Sequence, residues 1–286
     1  MTVAVYRVTH STEYRYGSPV EESYGQLYVL PRDTASQRCR RTVVDIEPKP
    51  DDYHERVDHF GNRAAYFAVL RPHTVLRLAA SSTIDVEPTA PAGRGPTWEA
   101  VRDALAPDDR QFALESPLVP RLDELADYAA ASFTAGRPIV EAVADLSARI
   151  HRDFAYEPGA TSVSTTLAEV LNQRRGVCQD FAHLGIGCLR SLGLAARYVS
   201  GYLETVPPPG RARLVGADVS HAWFGFHAGP LGWVDVDPTN DQFVAGHHLT
   251  NAWGRDYHDV PPVKGVIFTD AASNELSVTV DVVPAG

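Results

Sequence analysis

Apolar residues in this chain change their period part-way along, from every second position to every third and fourth, and that switch limits the folds available to it. Tyr6, Val8, Tyr14 and Tyr16 share one phase against Arg7, Thr9, Ser11, Glu13 and Arg15. This is the repeat of a half-buried strand. Leu76, Leu78, Ala80, Ile84 and Val86 repeat it opposite Arg77, Ser81, Thr83 and Asp85. Gly17-Ser18-Pro19 and Gly61-Asn62 predict turns, so residues 1–88 are expected to form a small β-sandwich. The breaker-rich stretch within residues 89–97, Thr89-Ala90-Pro91-Ala92-Gly93-Arg94-Gly95-Pro96, has no apolar period and is expected to be a linker.

Helical spacing follows, with Leu122, Leu125, Ala126 and Ala129 on one stripe and Ile139, Val143, Leu146 and Ile150 on another. Thr166, with Glu169 three residues on, predicts a capped third helix ending before Gly176, a glycine suited to the C′ position. A fourth helix is expected from Cys178 to Leu192, with Phe181, Leu184, Cys188 and Leu192 inward and Gly193 closing it. Strands return at 196–203, 221–226 and 233–237, separated by Pro207-Pro208-Pro209-Gly210 and by Gly229-Pro230-Leu231-Gly232. Helices followed by strands predict an α+β core over residues 98–286, a helical layer against an antiparallel sheet, with the sandwich in front of it.

Composition excludes several classes. The 286 residues carry 26 Lys+Arg against 36 Asp+Glu, a formal charge of −10 that repels phosphate backbones, so nucleic acid is not an expected partner. No apolar run approaches the roughly 18 residues that cross a bilayer, nor is there a basic stretch followed by a secretory apolar segment, so no membrane association and a cytoplasmic location are expected. Three cysteines, Cys39, Cys178 and Cys188, form no Cys-x-x-Cys pair and suit a reducing compartment.

Cys178 falls at a helix start, where the positive end of the dipole favours thiolate over thiol. Cys188 lies further along the same helix and Cys39 in the sandwich, and both read as structural. His221 opens the alternating strand Ser220-His221-Ala222-Trp223-Phe224-Gly225-Phe226. Asp235 and Asp237 share one face of the next strand, so either carboxylate could reach an imidazole there. Thiol, imidazole and carboxylate are the groups acyl transfer needs: a thiolate to attack a carbonyl, an imidazole to protonate the leaving group, and a carboxylate to fix the imidazole tautomer.

The runs Arg175-Gly176-Val177-Cys178-Gln179-Asp180-Phe181-Ala182-His183-Leu184, Ser220-His221-Ala222-Trp223 and Gly232-Trp233-Val234-Asp235-Val236-Asp237-Pro238-Thr239 resemble the transglutaminase-like superfamily of papain-type thiol enzymes. The resemblance covers roughly residues 120 to 265, and the first stretch is similar to the β-rich region preceding this core in bacterial members. It implies a catalytic triad of Cys178, His221 and Asp237, because the family's aspartate directly precedes a Pro-Thr or Ala-Thr pair, and leaves Asp235 a bystander. It implies no calcium requirement, since the chain has no room for the further domains of the animal cross-linking enzymes. Asp180 and His183 are expected to brace the site, the polar stretch 254–262 to do the same from a loop, and Trp223 and Trp233 either to wall a groove or to pack in the core. The Cys178 backbone N–H is the expected first oxyanion donor, with Tyr156 and Gln173 as candidates for the second.

These readings predict thioester chemistry on a peptide or protein amide without a cofactor or metal, finished by water in preference to an amine. Amine transfer is the alternative, and a non-catalytic binding module is another. A metal hydrolase built from His221, His227, His247 and His248 lacks the His-Glu-x-x-His pattern, and adjacent histidines on an extended chain point apart. The acyl acceptor, the substrate and the oligomeric state are not written in the residue pattern.

Overall fold

The computed structural model describes residues 3–91, 93–162, 164–205, 220–269 and 274–285; the Pro207–Gly210 loop lies outside these. The chain begins with β1 (Ala4–Leu27), β2 (Gln37–Glu47), β3 (Asp52–Val57), β4 (Arg63–Val69) and β5 (His73–Val86). Gly17-Ser18-Pro19 does not reverse the chain. Arg15 faces Val75 and Val20 faces His73, so the extra residues are taken up as a bend inside one 24-residue strand.

That bend lets a single sheet fold over on itself. Leu76 and Leu78 of β5, with Val44 and Ile46 of β2, pack against Phe67 and Val69 of β4 in one apolar cluster. The expected sandwich is therefore one continuous sheet, and it is not confined to residues 1–88. Strands β13 (Val263–Thr269) and β14 (Asn274–Pro284) pair with β1, so the end of the chain completes the first sheet and is not part of the 98–286 core sheet. Val263 and Ile267 join the same cluster. Alternation shows that these segments are strands but not which sheet they join.

The helical part comprises α1 (Trp98–Asp103), α2 (Asp123–Ala130), α3 (Ile139–Asp153), α4 (Leu167–Gln173) and α5 (Cys178–Ser191), with the two-residue strands β6 (Ala155–Tyr156) and β7 (Arg175–Gly176) pairing in parallel. Ile139, Val143, Leu146 and Ile150 are all fully buried, as their spacing predicts. Thr166 and Glu169 form the expected capping box. The helix ends on Arg174, not on the glycine: Arg174 adopts the left-handed conformation (φ 55°), its guanidinium over the rings of Tyr128 and Phe154. Gly176 answers to a different demand, since a Cβ there would lie 2.6 Å from the Asp180 carboxylate.

Helix α5 is buried almost all round, the mark of a helix at the centre of a core. It packs on an antiparallel sheet of β8 (Ala196–Leu203), β9 (Ser220–His227), β10 (Trp233–Asp237), β11 (Gln242–Phe243) and β12 (His248–Gly254), in the order β11-β10-β9-β8-β12. Gly185 permits the close approach, because a Cβ there would meet Phe224 of β9 at 2.2 Å. At the far end, the buried Arg190 guanidinium donates to Phe112 O, Ala196 O, Arg255 O and Ser116 Oγ, closing the helix C-terminus with charge of the favourable sign.

The folded sheet and the core sheet share a face on which Tyr6, Val8, Val280 and Val282 pack against Tyr202 and Leu249. Two amides then pair with the backbone of β12 as a neighbouring strand would. Gln37 exchanges bonds with Thr250 N and O (2.8 and 2.7 Å), and Asn62 with Trp253 N and O (2.9 and 2.8 Å). The bond network ties the two sheets into one body.

Since α5 carries Cys178 and β9 carries His221, the contact at Gly185 sets their separation. Gly185→Ala is expected to lower stability by about 1–3 kcal/mol in a denaturant titration and to slow any Cys178 chemistry in parallel, as overpacking pushes helix from sheet.

Candidate active site

Cys178 is the first residue of α5, behind Val177 in extended conformation. Asp180 holds this entry: its Oδ2 accepts the Val177 N–H at 2.8 Å and the Thr161 hydroxyl at 2.7 Å. Burial pushes the Asp180 carboxyl up, and these two bonds oppose the rise. His183, one turn on, is buried and accepts the Tyr257 N–H on Nε2 at 3.2 Å, fastening the 254–262 loop to the helix. Burial draws its pKa down to about 4, so the ring is a neutral acceptor. Asp256 accepts the Leu118 and His258 N–H groups, and Arg255 pairs with both oxygens of Asp259.

The sheet then brings His221 and Asp237 together. Asp237 ends β10, and the Asp-Pro-Thr-Asn sequence folds back so that its Oδ1 accepts Thr239 N at 3.0 Å and Asn240 N at 3.3 Å. Its Oδ2 faces His221 Nε2 at 2.8 Å and accepts the Asn240 amide at 2.7 Å. With Nε2 engaged, Nδ1 is the His221 nitrogen left for sulfur, and Cys178 lines the same cleft, near enough to help raise the ring's pKa. Burial works to lower the His221 pKa, but the bonds and charges of Asp237 and Cys178 outweigh it, and the ring is raised from 6.5 to about 10. Burial likewise works to raise Asp237, yet His221, His248 and Asn240 together hold it below the usual carboxylate range.

Asp235 is taken up elsewhere, by Arg197 at 3.2 Å and the Trp223 indole N–H at 3.5 Å. Trp223 is fully buried and walls no groove, whereas Trp233 is partly exposed under the Arg197 guanidinium. Tyr156 and Gln173 do not line the cleft, and Gln173 is engaged by Arg175; Gln179 and Ser220 are the polar side chains nearest in sequence to the thiol and the imidazole that do line it.

Reading the residues one at a time misses His248. It is fully buried and reaches Asp237 Oδ2 at 3.1 Å from the edge strand. Its Nδ1 accepts the Ala245 N–H at 3.4 Å, which puts the ring proton on Nε2, facing the carboxylate. The only sequence cue is the His247-His248 pair, whose rings do not point apart as an extended chain would have them but lie 4.7 Å from each other, because β12 begins only at His248. His221, Asp237 and His248 lie within 4.8 Å of one another, a donor set that could hold a metal ion. Their distances to Oδ2 are those of N–H···O bonds, and a cation between them would cost both. His227 sits apart, near Asp109 and Trp233.

A cleft of about 400 Å³ opens over this site. Cys178, Gln179, Ser220 and His221 line one side, while Thr12 and Tyr14 of β1 with Leu276 and Val278 of β14 line the other. The folded sheet thus supplies half of the cleft. Among the described residues no helix is long and apolar enough to cross a membrane.

Residues 6–85 match the bacterial transglutaminase-like N-terminal region and residues 126–238 match the transglutaminase-like superfamily. An uncharacterized protein of Mycobacterium tuberculosis (strain ATCC 25618 / H37Rv) is 45% identical over 290 residues, covering 98% of this chain and 92% of its own. A protein-glutamine gamma-glutamyltransferase of Pseudomonas aeruginosa is 31% identical over 150 residues, 50% of this chain and 22% of its own. The fold is also that of a candidate cysteine protease from Cytophaga hutchinsonii, with a TM-score of 0.79 at 21% identity over 100% of this chain and 92% of that one.

Asp237→Asn is expected to cut turnover by on the order of 10³-fold or more, and Asp235→Asn by far less, because only the former holds His221. His248→Phe removes one donor to a charged acceptor and should cost about tenfold in kcat. Steady-state kinetics on the three variants check the order; a larger loss at Asp235 would move the role there.

Proposed function

This chain belongs to the transglutaminase-like superfamily, and from that premise we propose that it is an enzyme acting on peptide or isopeptide amide bonds through a thioester on Cys178. The observation that carries the reading is His221, bonded to the buried Asp237 carboxylate, lining one cleft with the Cys178 sulfur. In the proposed cycle the Cys178 sulfur attacks the amide carbonyl, and the His221 imidazolium gives a proton to the departing amine. Asp237 keeps that imidazolium oriented and stabilised throughout. In this cycle the Cys178 N–H, free at the start of α5, would donate to the developing oxyanion.

Hydrolysis is the favoured second step. Cys178 is half-buried in a cleft open to solvent, so water reaches the thioester without a second binding site. His221, by then neutral, takes one proton from that water and keeps it as the acid product leaves, which restores the imidazolium beside the Cys178 thiolate. The second reading, transfer to an amine, draws on the Pseudomonas relative named as a gamma-glutamyltransferase. Adding a primary amine to the reaction separates the two by product mass.

Cys178→Ala should abolish turnover and leave the melting temperature almost unchanged. Cys188→Ala should keep activity and lose about 1 kcal/mol, the effect of a small cavity at a fully buried position. Intact-protein mass spectrometry after exposure to electrophilic peptides should place the adduct on Cys178; equal inactivation by both substitutions, or an adduct elsewhere, would overturn the assignment.

A further inference from the structure

One buried histidine that the chemistry leaves unused, His10 on β1, lies at the edge of the cleft. Its Nδ1 lies 3.0 Å from the Tyr202 hydroxyl and its Nε2 lies 3.1 Å from the Thr12 hydroxyl. Burial pulls its pKa down to about 4, so the ring is neutral and has one proton to give.

The direction of this chain follows from its buried end. A buried phenol proton without an acceptor is costly, and among the described residues the acceptor that faces the Tyr202 hydroxyl is His10 Nδ1. Tyr202 therefore gives its proton to His10 Nδ1. His10 then carries its proton on Nε2 and donates it to Thr12 Oγ1. Thr12 is left with a hydroxyl proton that finds no acceptor among the described residues, and it lines the cleft that holds Cys178.

We propose that Thr12 is a substrate-binding residue, its hydroxyl donating to a backbone carbonyl of an extended peptide whose apolar side chain rests on Leu276 and Val278. The inference rests on the amide-bond reading above and adds to it the part played by the folded sheet. Leu276 and Val278 are 57% and 47% exposed on the wall of the cleft, apolar area that nothing in the described chain covers. Among the described residues that line the cleft the one cation is His221, already paired with Asp237, so an acidic group brought there would be desolvated without a free counter-ion. Thr12, Leu276 and Val278 therefore select an uncharged, apolar segment and register it against the thiol.

The test uses the full chain and two acetylated peptide chloromethyl ketones, leucine-leucine-glycine and glutamate-glutamate-glycine, which alkylate the nucleophilic thiol with loss of chloride. The leucine probe should inactivate at least about tenfold faster than the glutamate probe, and Thr12→Val should slow the leucine probe about tenfold through its binding constant. Thr12→Ser should restore the parent rate to within about twofold, since it keeps the donor. Methylthiolation of Cys178 by methyl methanethiosulfonate, which forms a mixed disulfide with loss of methanesulfinate and occupies no peptide subsite, should be the same in all three proteins. A leucine probe with an ester replacing one or the other peptide bond presents a weaker acceptor, and one of these two esters should react more slowly with the parent, whatever the folding of the variants. Equal rates for Thr12→Val and parent, a Thr12→Ser protein as slow as Thr12→Val, or two esters as fast as the amide would overturn the role of Thr12. A glutamate probe as fast as the leucine probe would overturn the apolar subsite. If neither peptide labels Cys178 in the parent while the small disulfide reagent does, the amide-bond reading fails and this inference fails with it.

Discussion

Asp237 is completely buried, and a lone carboxylate in that position would give up its charge to avoid desolvation. It stays ionised because five hydrogen bonds converge on it, two from the Asx-type turn that follows β10 and three from His221, His248 and Asn240. The rest of the site depends on that charge. It leaves His221 with one nitrogen committed and one facing sulfur, and it keeps the ring protonated at a depth where imidazole would otherwise be neutral. The strand carrying Asp237 is fixed by its pairing with β9, and β9 by the close packing of Phe224 on Gly185 of the helix that begins at Cys178.

The folded sheet is more than an appendage to this machinery. Its β13 and β14 come from the far end of the chain, and its inner face first packs on Tyr202 and Leu249 and then continues as a wall of the cleft. Gln37 and Asn62 bind the backbone of β12, the strand whose first residue is His248. The sheet that walls the cleft therefore also holds the strand from which the second imidazole reaches Asp237.

Much of this was legible in the residue pattern because it is local. The two-residue alternation of β1 and β5, the apolar stripe of α3 and the Thr166–Glu169 capping box each depend on neighbours a few positions apart, and each folds as its spacing implies. What the pattern could not carry is non-local. Gly17-Ser18-Pro19 has the composition of a turn, and only the partners on either side make it a bend in one strand. Asp235 and Asp237 are equivalent by strand phase; the family resemblance favours Asp237, and the physical difference is Arg197, which takes Asp235, thirty-eight residues away along the chain. His248 looked like one half of a histidine pair because its link to Asp237 exists only after β12 has joined the edge of the sheet.

Asp237 and Cys178 together keep a buried His221 positively charged. A group raised from 6.5 to about 10 adds stability that is fully present below pH 6.5 and is lost as pH rises through about 10. Histidine-ring NMR of the intact protein, followed against pH, reads this state directly. The His221 ring is expected to carry both protons still at pH 8 and to give one up only near pH 10. A ring that is already half-deprotonated at or below pH 6.5 would contradict it.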